Sequence, residues 1–131
     1  MRILIVDDEL LGRMVLNKIL SAHGHCDSAV NGREAVEAFR MAWEEGDRFN
    51  LICMDIMMPE MDGHQALKLI RGYEEERGIF GAQRVKVLMI SARDDSRTVL
   101  DSFKEGCEGY IIKPIEKDNI EKQLRELCLI G

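Results

Sequence analysis

The chain has 131 residues, is 46% hydrophobic and 32% charged, and carries a formal net charge of −6. Its length suits one domain with one core. The acidic balance argues against general nucleic-acid affinity and against attraction to anionic membranes, both of which need a basic surface. No apolar run reaches the roughly 20 residues of a membrane-spanning helix, and the N-terminal run is too short for a signal segment, so the sequence reads as cytoplasmic.

Ile3–Val6 reads as a buried strand that runs straight into Asp7, Asp8 and Glu9. Leu16, Ile19 and Leu20 then mark one face of a helix that ends near Gly24. His23-Gly24-His25 reads as a solvated turn, and Cys26–Val30 as a short second strand. Asn31 is placed to cap a helix that carries Ala35, Val36, Phe39 and Trp43 inward and stops near Gly46. Leu51–Met54 is the third strand and ends at Asp55. The loop MMPEMDG follows, with Asp62 as the acid of an Asp-Gly turn, and then a helix marked by Ala66, Leu67 and Ile70.

EEERGIFGAQR reads as a polar, glycine-containing loop, longer than a minimal connection. Val85–Ile90 is the strongest strand signal. Val99, Leu100 and Phe103 mark a fourth helix stopped by Gly106, Tyr110–Ile112 is the fifth strand, and Ile120, Leu124 and Leu127 mark the last helix. The four cysteines, Cys26, Cys53, Cys107 and Cys128, lack any CxxC spacing and read as reduced, mostly buried thiols. No linker or second domain is expected, so the whole of 1–131 reads as one domain without an output module.

Five βα units with near-continuous apolar strands imply an α/β fold: a doubly wound, flavodoxin-like parallel sheet in the order 2-1-3-4-5, with helices on both faces. In such a sheet ligands bind beyond the carboxyl ends of the strands. Those ends carry Asp7 and Asp8, Asp55, Ser91, and Lys113-Pro114. At about 4 Å two carboxylates repel by about 4 kcal/mol at an effective dielectric of 20, so a convergence of acids asks for a cation. Hard oxygen ligands suit Mg²⁺. Acids, a divalent cation, a lysine and a hydroxyl together describe a site that holds a phosphoryl group.

Taken singly, each residue also has a plain structural use. Asp7, Asp8 and Glu9 suit a helix N-terminus, Ser91 a cap, Lys113 the surface, and Tyr110 a core with a polar tip. Only together do they mark one rim.

Four motifs in this order and spacing, ILIVDDE, DIMMPEMDG from Asp55, MISA from Met89 and GYIIKP from Gly109, make the chain resemble the receiver domain of two-component response regulators, of the single-domain CheY-like type. The resemblance implies that Asp55 accepts a phosphoryl group from a sensor histidine kinase, a phosphotransfer protein or a small phosphodonor. It implies Mg²⁺, with Mn²⁺ as a substitute, held by Asp8 and Asp55, by Asp7 largely through water, and by the backbone carbonyl of Met57. Lys113 would pair with the acids at rest and with the phosphoryl group afterwards, through a cis Lys113–Pro114 bond. Ser91 and Tyr110 would form the switch. Output would pass through the face of helix 4, strand 5 and helix 5 to an unidentified protein target or, in a phosphorylation-linked homodimer, to a second copy. The competing readings are a Mg²⁺-dependent phosphatase or phosphotransferase acting on small molecules, and an interaction module that is never phosphorylated. Met57 and Arg93 flank the site without a group suited to orienting water, which points to slow autodephosphorylation.

Overall fold

The computed structural model describes residues 1–131. Strand β1 (Arg2–Val6) leads into helix α1 (Leu10–Leu20), and the unit repeats as β2 (His25–Ala29), α2 (Gly32–Glu44), β3 (Leu51–Asp55), α3 (Gly63–Glu76), β4 (Lys86–Ser91), α4 (Ser96–Glu105), β5 (Gly109–Ile112) and α5 (Lys117–Glu126). The strands form one sheet in the order β2-β1-β3-β4-β5, and every pairing is parallel. This is the doubly wound, flavodoxin-like α/β fold expected from the sequence.

Period-two alternation along the strands decides which helices cover which face. Leu4 and Val6, Ile52 and Met54, and Val87 and Met89 pack with Phe39 of α2 and Leu67 and Ile70 of α3. Their neighbours Ile3 and Ile5, Leu51 and Cys53, and Leu88 and Ile90 pack with Leu16 and Leu20 of α1 and Ile120 and Leu124 of α5. β1 and β3 are therefore apolar on both faces, because both faces are covered. Fully burying each such side chain stabilises the fold by about 1.5–3 kcal/mol.

Register carries the strand ends to one rim. Val6 sits beside Met54, Asp55 beside Ile90, and Ser91 beside Ile112. The helices run back beneath the rim. Trp43, near the end of α2, lies at the opposite end of the sheet, with the Arg48 guanidinium 4.9 Å from its ring centre. Its Nε1 is buried without a hydrogen-bond partner.

Four expectations need correction. The polar stretch EEERGIFGAQR is not all loop: α3 continues to Glu76, and a short 3-10 turn spans Gly81–Gln83. The reason is a buried ion pair. Glu74 is 1% exposed, meets Arg71 Nη1 at 2.7 Å and accepts from the Val85 amide at 2.8 Å. Asp62 is more than a turn residue. It caps α3 by accepting from the Gln65 amide, while the Gln65 side chain returns a bond to the Asp62 amide. The histidine turn is not simply solvated, because His23 Nε2 lies 2.7 Å from Glu121 Oε2 of α5, and His25 already belongs to β2. Finally, Cys53 and Cys107 are buried, but Cys26 is half-buried and Cys128 exposed.

Candidate functional site: an acidic rim with one lysine

Asp7, Asp8 and Asp55 each place a carboxylate oxygen within 4.8 Å of the others. The chain builds this cluster from two strand ends. Asp7 and Asp8 follow β1 directly, and Asp55 is the last residue of β3. Beyond Asp55 the backbone stays tied to the sheet, with the Ile56 amide donating to Ile90 O at 3.2 Å. The Gly63 amide then donates to Ile56 O at 2.9 Å, which folds the loop back over the rim.

Asp7 and Asp55 are buried, and Asp8 is exposed. Two groups offset the buried charge. Lys113 Nζ lies 3.1 Å from Asp55 Oδ2 and 4.0 Å from Asp7 Oδ2. Backbone amides do the rest: Glu9 donates to Asp7 Oδ1 at 3.0 Å, and Met57 to Asp55 Oδ1 at 3.2 Å. Burial nevertheless dominates at Asp55 and raises its pKa above the usual carboxylate value, with the Lys113 bond opposing and the Asp7 charge adding to the rise. At Lys113 burial pulls the pKa down, but the bond and charge of Asp55, with Asp7 and Glu9, outweigh it and leave the pKa raised. The lysine is thus fixed as a cation.

The remaining rim residues lie on the other side of the site. Ser91 is fully buried, and its Oγ accepts from the Arg93 amide at 3.1 Å. Tyr110 Oη donates to Arg93 O at 2.7 Å. The segment after β4 is therefore held by Ser91 and Tyr110 at once. Met57 projects its side chain into solvent, 59% exposed, and the Lys113–Pro114 bond is cis.

The structure thus brings Asp7, Asp8, Asp55 and Lys113 together, while Ser91 and Tyr110 are joined to each other through Arg93 and make no hydrogen bond to the carboxylates. Two residues that were not singled out in the sequence also belong to the rim. Arg13 Nη1 donates to the Asp7 carbonyl at 2.8 Å, and Gly12 of α1 packs directly on the Asp7 carboxylate. A glycine inside a helical pattern was the available signal, since it costs about 1 kcal/mol relative to alanine and asks for a reason. The donor set, three carboxylates with hard oxygens and one of them open to water, fits a divalent cation of the Mg²⁺ kind.

The profile of the family described as "Response regulator receiver domain" matches residues 3–125. The chain belongs to that family. Its function is that of a response regulator receiver in two-component and phosphorelay signalling. This receiver is 31% identical over 128 residues to the chemotaxis protein CheY of Thermotoga maritima, covering 96% of each chain. It superposes on CheY in the CheX–CheY–BeF3–Mg²⁺ complex of Borrelia burgdorferi with a TM-score of 0.84 at 26% identity, covering 97% of this chain and 88% of that one. It also matches the co-crystal of the Saccharomyces cerevisiae phosphotransfer protein Ypd1 with the receiver domain of Ssk1, with a TM-score of 0.82 at 29% identity, covering 96% of this chain and 87% of that one. The Borrelia burgdorferi complex contains Mg²⁺, and this receiver carries an acidic cluster compatible with such a cation. No helix is long and apolar enough to cross a membrane.

Proposed function

We propose that Asp55 is the phosphoacceptor and that a histidine kinase or phosphotransfer protein supplies the group. The observation that carries this is the pairing of Asp55 with Lys113 at 3.1 Å inside a cluster of carboxylates that could hold a cation. A carboxylate oxygen of Asp55 forms a bond to phosphorus as the P–N bond of the donor phosphohistidine breaks, and the electron pair returns to the imidazole ring. The product is an acyl phosphate on Asp55. Lys113 neutralises charge on the phosphoryl oxygens. Ser91 turns its hydroxyl to another phosphoryl oxygen, and Tyr110 follows the segment after β4 inward. Asp7, Asp8, Asp55 and the backbone carbonyl of Met57 would hold Mg²⁺ or Mn²⁺, which supplies further charge neutralisation.

The output surface in this reading is the face of α4, β5 and α5. There Leu100, Phe103 and Ile112 are 56%, 45% and 46% exposed. It would bind a protein target, or a second copy once phosphorylated. In this reading catalysis is limited to the receiver's own phosphorylation and slow dephosphorylation, and a kinase donor of this kind would have it work in the cytoplasm.

Intact mass after incubation with acetyl phosphate tests the reading, with and without Mg²⁺, on wild type and Asp55→Asn. The expected result is a single Mg²⁺-dependent phosphoryl adduct that hydroxylamine removes and that the variant lacks. An equal adduct on Asp55→Asn overturns the assignment. So does a wild type that takes no phosphoryl group and binds no beryllofluoride.

A further inference from the structure

We infer that Gly12 is a positioning residue for Asp7. This inference rests on the metal reading above. Gly12 lies in the first turn of α1, where an alanine would favour the helix by about 1 kcal/mol. A Cβ at this position would overlap Asp7 Oδ2 and sit 2.8 Å from Asp7 Cγ. Gly72, in the middle of α3, behaves differently, because a Cβ there meets nothing within 4 Å. Of the two, only Gly12 is required by what it touches.

What it touches is already held from other directions. Asp7 Oδ1 accepts from the Glu9 amide, Asp7 O accepts from Arg13 Nη1, and Oδ2 faces Lys113. The absent side chain of residue 12 leaves the space that Oδ2 fills, and this is how Asp7 is only 1% exposed yet still reaches the other two carboxylates. Any side chain at position 12 forces one of two changes. Either the carboxylate rotates off the Glu9 amide, or the first turn of α1 lifts from the rim. Each displaces one of three converging carboxylates.

Mg²⁺ demands near-ideal octahedral geometry at about 2.0–2.1 Å, whereas Ca²⁺ accepts varied geometry at about 2.3–2.6 Å. A displaced Asp7 therefore weakens Mg²⁺ more than Ca²⁺, and the ratio of the two affinities reports position rather than folding.

The experiment is calorimetric titration of Mg²⁺ and of Ca²⁺, with thermal unfolding in EDTA, on wild type, Gly12→Ala, Gly72→Ala, Asp7→Ala and the double variant Gly12→Ala/Asp7→Ala. Gly12→Ala should lose about fivefold or more in Mg²⁺ affinity and distinctly less in Ca²⁺ affinity. It should be less stable than Gly72→Ala, which binds Mg²⁺ as wild type does. In the Asp7→Ala background the alanine at position 12 should instead stabilise, because the overlap is gone. Unchanged Mg²⁺ affinity in Gly12→Ala, or the same destabilisation with and without the Asp7 side chain, overturns the inference. A wild type that binds no Mg²⁺ overturns the metal reading itself. The stability comparison across the double variant then still decides whether Gly12 positions Asp7.

Discussion

Asp55 combines a buried setting with a proposed role, as phosphoacceptor, that needs its charge. Its folded pKa lies above the ordinary carboxylate value, so the ionised form is the disfavoured one in the fold. By linkage, stability falls as pH rises from the unfolded value, about 3.9, through the folded one, and the penalty is complete above that window. Asp55→Asn should therefore unfold at a higher temperature than wild type at pH 7 in EDTA, and the advantage should shrink on acidification below the window. Equal melting temperatures at pH 7 would contradict the burial argument. For Lys113 the sign is opposite. Its raised pKa adds stability that is fully present below its unfolded value, about 10.4, and is lost as pH rises through the folded one. The neighbouring Met57 makes a separate prediction. Its exposed side chain has no group to orient water, so the wild type should lose phosphate severalfold more slowly than Met57→Asn, timed side by side by mass or radiolabel. Equal rates would remove any role for this position in the lifetime.

Strand ends were legible because apolar runs stop abruptly at charged or hydroxyl residues, and the parallel topology then forces those residues together. The end of α3 was not legible, because Arg71 and Glu74 look like solvated helix residues and are instead buried against each other. Arg71 also donates to Gly106 O and meets both carboxylate oxygens of Glu108, at 2.8 and 3.1 Å, and Glu108 accepts from the Val87 amide. One guanidinium thus ties α3 to the start of β4 and to the turn between α4 and β5. Removing the Glu74 carboxylate leaves the Val85 amide without its partner and Arg71 with one fewer counter-charge. Glu74→Ala should cost about 3 kcal/mol in urea unfolding, a large share of a typical domain's stability. A loss under about 1 kcal/mol, the worth of an ordinary hydrogen bond, would show that the pair is replaceable. Gly12 was hidden for a related reason: sequence shows a helix-weakening residue but not what lies against it.

Across the whole molecule, strand parity divides the site. Asp7 and Asp55 follow the alternation of residues facing α1 and α5, while Ser91 and Tyr110 follow that of residues facing the α2–α3 side. In the proposed switch a charge change at Asp55 crosses to the other face by way of β4 and β5 to reach α4. The last turn of α4 is pinned through Gly106 and Glu108 by Arg71, whereas its first turn hangs on the segment that Ser91 and Tyr110 hold. Beryllofluoride with Mg²⁺ should alter amide hydrogen exchange at residues 92–100 more than at the end of α4, and leave β2 and α2 unchanged. Uniform protection along the chain would contradict a hinged α4. The same geometry has an optical consequence. The single tryptophan, Trp43, sits under Arg48 at the far end of the sheet, so its emission is insulated from events at the rim. Intrinsic fluorescence will follow unfolding of this chain faithfully and remain dark to its signalling state, and a reporter of that state has to be introduced beside the segment after β4.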